Sequence, residues 1–213
     1  MSCWIVIAHL SGMRDSEIKH LRRSCVSTQR DAGGRIYRHR LNGLAFKGES
    51  VHGTAATWIV TAPVARAVAV LERLQPADEP YLFAHPRKSA NHHRRQHVAE
   101  RVRTSATTIK DITALARWIN VYCAARSRVD AILEDNRRLP HLTLRQFRRT
   151  LAWFIARRPG GTIAGALQYR HQRIQMFEGY ADPRELHQTG EKPQVASSRR
   201  GPDGLQGYYH LAA

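Results

Sequence analysis

"LRQFRRTLAWF", Leu144 to Phe154, is the stretch on which the reading of this chain turns. Arg145, Arg148 and Arg149 are spaced i, i+3, i+4, so on a helix they share one face. Leu144, Phe147, Leu151, Phe154 and Ile155 supply an apolar stripe beside them. The stretch holds no acidic residue to pair with these charges. A helix that is apolar on one side and strongly cationic along its edge predicts a core element that also faces an anion.

Outward from it, the helix is expected over 144–157, stopped by Pro159-Gly160-Gly161. A short helix follows over 162–169, and then "RHQRIQMFEGY" (170–180). Upstream, Ile109, Ile112, Leu115, Ala116, Ile119 and Cys123 recur at helical period, predicting the longest helix over 107–125. Between 24 and 63 the texture changes. "SCVSTQR", "RIYRHRL" and "TAATWIV" are short β-rich runs divided by Gly33-Gly34 and by "KGESVHG", which predicts a small three-stranded antiparallel sheet. An amphipathic helix over 63–74 carries Val64, Ala67, Val68 and Leu71 inward, with Pro63 at its start. At the beginning, "CWIVIAHL" (3–10) reads as a buried helix broken at Ser11-Gly12, and Asp15 as the cap of a second one with Ile18 and Leu21 inward. The fold class expected is thus mainly α with a small three-stranded antiparallel sheet (α+β). Residues 84–104 read as a basic surface loop, and 183–213 as a flexible C-terminal tail.

Charge is the strongest global signal. The chain has 213 residues, with 34 Lys+Arg against 17 Asp+Glu, a net charge of +17. Five of the 34 are lysines, so 29 are arginines, whose planar fork binds phosphate bidentately. A codon bias toward arginine is the bland explanation. A polyanionic partner, DNA or RNA, is the sharper one, and composition does not choose between the two nucleic acids. Cys3, Cys25 and Cys123 form no CxxC pair, which argues against a disulfide framework and suits a reducing cytoplasm. His85, His92, His93 and His97 lack the spacing and firm element of a metal site, so neither metal nor cofactor is expected. The apolar N-terminal run is too short for a membrane span.

Four motifs, in order, resemble the tyrosine recombinases of the phage-integrase type. "LSGMRDSEIKHL" is similar to that family's first arginine box, and "RQFRRT" to its second, usually His-x-x-Arg followed by His or Lys. "YRHQRIQMFEGY" is similar to the closing box, a histidine in a Leu-Gly-His setting with a tyrosine nine residues later. Lys47 in "AFKGES" stands where the family carries a catalytic lysine on a β-hairpin turn. The resemblance covers most of residues 1–182, which it identifies as the catalytic domain.

What the resemblance implies can be checked against the chemistry. Transesterification of a DNA phosphodiester needs a nucleophile, charge stabilisation on the phosphate and an acid for the leaving oxygen. Tyr180 would be the nucleophile, forming a phosphotyrosine that is later displaced. Arg14 and Arg148 would hold the non-bridging oxygens; losing one such donor typically costs roughly 2.7–4 kcal/mol of activation energy. Lys47 would protonate the departing 5′ oxygen, and His171 would hydrogen-bond a phosphate oxygen or tune the tyrosine. Read singly, each residue also has an ordinary role: Tyr180 a half-buried core tyrosine, Arg14 a surface arginine paired with Asp15 or Glu17, Lys47 a hairpin tip, His171 a structural histidine.

Arg145 departs from the pattern, since a guanidinium cannot act as a base where the family has histidine; it is expected as a third phosphate contact within the catalytic set. Arg149, Arg94, Arg95 and Arg173 are the expected DNA contacts. Met1 lies one helix before the first box, so the family's N-terminal clamp domain is expected to be absent, and the text after Tyr180 puts docking between protomers in question. The resemblance implies a site-specific recombinase or integrase working through a 3′-phosphotyrosyl intermediate on double-stranded DNA, as a tetramer, in the cytoplasm and at the nucleoid. The competing reading is a truncated, non-catalytic DNA-binding remnant. An arginine-rich RNA-binding protein is a third, disfavoured by the absence of interleaved aromatics.

Overall fold

The structure, a computed structural model, describes residues 1–84, 102, 104–132, 139–140, 142–171 and 173–182. Among the described residues ten elements follow in order: α1 (Ser2–Ser11), α2 (Asp15–Lys19), β1 (Val26–Arg30), β2 (Ile36–Ala45), β3 (Thr54–Val60), α3 (Ala62–Leu74), α4 (Ser105–Ala125), α5 (Leu144–Ala156), α6 (Gly161–Gln168) and α7 (Ile174–Tyr180). The protein is mainly helical, with one three-stranded antiparallel sheet in the order β1-β2-β3. The expected tail and most of the basic loop lie outside the described residues.

Strict alternation sets the inner face of the sheet. In β3, Ala56, Trp58 and Val60 are buried while Ala55, Thr57 and Ile59 between them are exposed. Trp58 pairs across to Leu41 on β2, and both enter one core with Trp4, Ile7, Met13, Ile18, Leu21, Val64, Val68 and Ile112. Full burial of each such side chain contributes roughly 1.5–3 kcal/mol. A second, smaller core joins the last three helices through Ala152, Ala166, Tyr169, Phe177 and Ala181, with Leu151, Ile155 and Tyr180 at its margin.

Three sequence expectations need correction. Asp15 does not cap α2; Arg14 does, and Asp15 lies inside the first turn, paired with Lys19 (2.5 Å) and accepting a hydrogen bond from Ser105 Oγ (2.6 Å). Phe154 is not part of a buried stripe but is 52% exposed. The three arginines of α5 also part company: Arg145 is exposed, whereas Arg148 and Arg149 are buried. In α4 the buried set is Thr108, Ile112, Ala116 and Cys123, with Ile109, Leu115 and Ile119 half-buried.

Candidate active site

The site forms where the end of α1, the first turns of α5 and the α6–α7 segment meet. Helix α1 ends at Gly12, whose φ of 71° is the left-handed form that closes a helix and suits glycine. The turn aims the Gly12 carbonyl at α5, where it accepts a hydrogen bond from Arg148 Nε. Arg148 Nη2 donates to the carbonyl of Tyr169 at 3.1 Å. The Tyr169 hydroxyl returns to the carbonyl of Arg148 at 2.6 Å, and the guanidinium lies 4.4 Å from the centre of the Tyr169 ring. A cation held by two carbonyls on one edge and an aromatic face beneath has little freedom left to lose when it meets an anion.

Tyr180, the last residue of α7, is half-buried beside this group. Arg148 and Arg149 both lie 4.9 Å from its ring centre. The His171 ring meets it edge-on, 5.6 Å away at 87°. Burial lowers the proton affinity of Arg148; the Tyr180 hydroxyl opposes this, and the charge of Arg14 adds to it. Tyr169 is pushed well above the ordinary tyrosine range by burial, so its phenol stays a hydrogen-bond donor.

Arg14 enters from the start of α2. Its Nη1 pairs with Glu17 Oε1 at 2.9 Å, and the other carboxylate oxygen accepts the Arg14 backbone N–H at 2.5 Å. Glu17 is 1% exposed, so this is a buried brace rather than the surface pair that the sequence suggests.

His171 reads the combined field. Its proton affinity falls from the ordinary 6.5 to about 4, first through desolvation, then through the charges of Arg148, Arg14 and Lys47. Three cations from three separate parts of the chain thus act on one imidazole, and at neutral pH the ring is uncharged. Lys47 lies in the exposed turn between β2 and β3.

The structure therefore seats Arg148, His171 and Tyr180 in contact, and the charges of Arg14 and Lys47 reach His171. Arg149 joins them, buried against Tyr180 instead of being displayed to solvent. Arg145 stays exposed on the first turn of α5, and Arg173 is exposed at the start of α7. Arg94 and Arg95 lie outside the described residues. Sequence reasoning missed Tyr169 and gave Glu17 only as one of two surface partners for Arg14. Glu17 was signalled by its i, i+3 spacing from Arg14; Tyr169 was signalled only by standing where the resemblance calls for leucine. Among the described residues no group of His, Cys, Asp and Glu side chains could hold a metal ion, and no helix is long and apolar enough to cross a membrane.

No protein-family model matches the chain, and no curated protein is similar to it. Solved structures similar to it include tyrosine recombinases and an integrase. They include XerA recombinase (18% identity, TM-score 0.49, 85% of this chain and 51% of that one). XerH site-specific recombinase in a post-cleavage complex with palindromic difH substrate follows (14%, 0.49, 86% and 42%). The Tn1549 transposon integrase with circular intermediate DNA is a third (15%, 0.46, 84% and 52%). The chain spans about half the length of these structures.

Proposed function

We propose that this site cleaves and rejoins DNA strands as a tyrosine recombinase does. The oxygen of Tyr180 attacks the scissile phosphorus as its proton passes to the acceptor nitrogen of uncharged His171, the bond from phosphorus to the 5′ oxygen breaks, and Lys47 gives that oxygen its proton. A 3′-phosphotyrosyl enzyme and a free 5′ hydroxyl result; attack by a second 5′ hydroxyl reverses the step and joins new strands. Arg14 and Arg148 hold the non-bridging oxygens, and uncharged His171 offers both a donor and an acceptor beside Tyr180. Assembly on double-stranded DNA as a tetramer belongs to the same reading.

One observation carries it above the others: the Tyr180 ring is seated against two buried guanidinium groups and an imidazole, where a phosphate arriving at its hydroxyl would meet cations already fixed. A duplex nicked just beyond the scissile phosphate loses its leaving strand, so cleavage should accumulate a covalent adduct on denaturing gels. Tyr180→Phe should abolish it, and an unchanged adduct in that variant would sink the assignment.

A second reading, DNA binding without cleavage, is favoured by a specific feature: Arg145 is a guanidinium where the family has histidine, and His171 is a weak base at about 4. It requires salt-sensitive binding, with a slope of about −0.9 per phosphate contact, and no Tyr180-dependent adduct on any substrate.

A further inference from the structure

One ion pair joins two loops 121 residues apart in sequence: Arg170 Nη2 donates to Glu49 Oε1 at 3.3 Å. Glu49 belongs to the turn that carries Lys47, and Arg170 directly precedes His171. The Glu49 carboxylate is braced on its own hairpin, because Oε2 accepts a hydrogen bond from Thr54 Oγ1 (2.9 Å) at the start of β3. The turn is closed on either side of it by Glu49 N–H to Phe46 O (3.2 Å) and Gly53 N–H to Ser50 O (2.9 Å).

The backbone of Arg170 is the second observation. Its φ is 54°, in the left-handed region that L side chains avoid. The residue terminates α6, with its own N–H on Leu167 O (3.1 Å) and the next N–H, of His171, on Ala166 O (2.9 Å). Glycine is the residue that such a helix end favours. An arginine there bears a backbone cost that glycine would not, and its side chain bonds to Glu49.

We propose that the Arg170–Glu49 pair is a latch that holds the Lys47 turn against the His171 loop, making both residues positioning residues for proton delivery by Lys47. The inference rests on the strand-transfer reading above. With the latch open, the turn loosens and no longer fixes the Lys47 ammonium at the leaving oxygen. Both partners are about one-third exposed (33% and 31%), so added salt weakens the latch before it disturbs the core.

The test compares two duplexes in the full chain, one with an ordinary 5′ oxygen at the scissile phosphate and one with sulfur bridging at that position. Attack by Tyr180 on the second breaks a phosphorus–sulfur bond and releases a thiolate, which needs no proton because thiols ionise near pH 8.5. General acid catalysis contributes about 10²–10⁴-fold. Glu49→Gln and Arg170→Gly should lose part of it, slowing cleavage of the oxygen duplex about 10- to 100-fold, while cutting the sulfur duplex at the wild-type rate. The exchanged pair Arg170→Glu with Glu49→Arg should recover most of the lost rate.

Equal slowing on both duplexes, or no slowing on either, would overturn the latch. Lys47→Ala separates the two ideas: if sulfur fails to rescue it, Lys47 is not the acid and the strand-transfer reading itself fails at that step. Hydrogen exchange of the uncomplexed protein reads the latch without any activity. The Glu49 and Gly53 amides should exchange at least about threefold faster in Arg170→Gly, with α1 amides unchanged; unaltered turn amides would also overturn it.

Discussion

Gly12→Ala tests the joint between α1 and the Arg148 clamp. Two costs are separable. The residue sits at φ 71°, where an alanine pays about 1–2 kcal/mol that glycine does not. The new Cβ would also lie 2.7 Å from Tyr169 Cε2 and 2.9 Å from Cζ. That ring has no easy retreat, since it is 1% exposed, its hydroxyl is bonded to the Arg148 carbonyl, and the guanidinium covers its face. Overpacking of a fixed core group typically costs about 1–3 kcal/mol. The expected loss is thus about 2–5 kcal/mol, a large part of the roughly 5–15 kcal/mol that stabilises a domain. Urea titration followed by tryptophan fluorescence measures it. The decisive comparison repeats Gly12→Ala in a Tyr169→Leu background, where the clash is gone and the backbone cost alone, about 1–2 kcal/mol, should remain. If the two backgrounds give the same loss within about 0.5 kcal/mol, the Gly12–Tyr169 contact does not set the position of Arg148.

Gly165→Ala should be at least as damaging, because its Cβ would fall 2.1 Å from Cζ of the fully buried Phe177 and drive α7, with Tyr180, away from α6; a fall in thermal midpoint together with loss of covalent adduct is the expected result. His171 gives stability a pH dependence of known sign. Its folded value of about 4 lies below the ordinary 6.5, so between these values the unfolded chain holds the extra proton. Stability from this group is complete above about 6.5 and is lost as pH falls through about 4; urea midpoints across that range should slope in wild type and flatten in His171→Gln. A bound phosphate would offset the three cations that depress His171, so DNA binding near pH 5 should take up a proton, detectable by calorimetry in buffers of different ionisation enthalpy.

The fold was legible where burial follows a period. In β3 the alternation of Ala56, Trp58 and Val60 names the inner face without any tertiary knowledge, and Pro159-Gly160 marks the break after α5, because proline lacks the N–H that a helix interior needs and Gly160 takes the left-handed form. The site was legible as a set of residue types in order. What the period could not carry is how far along a helix its covering partner extends. Phe154 is two turns beyond Phe147 on the same face, yet Phe147 meets Trp4 edge-on at 5.5 Å and Phe154 stays exposed. The same limit hid the difference between Arg145 and Arg148.

That difference is set by partners remote in sequence. Arg148 is buried because the carbonyl of Gly12, 136 residues earlier, meets its Nε, and because Tyr169 meets both its Nη2 and its cationic face. A buried guanidinium without such acceptors would bear a heavy desolvation cost, so the burial of Arg148 and the left-handed turn at Gly12 stand or fall together. Arg145, one turn nearer the start of the helix, has solvent instead, and so bears no desolvation cost on folding. The charge crowding of "LRQFRRTLAWF" therefore resolves into two physical classes: Arg148 and Arg149, built into the folded core around Tyr180, and Arg145, free to reach an anion arriving from outside. An anion at Tyr180 would find the first class already oriented, and only the second would have to be recruited.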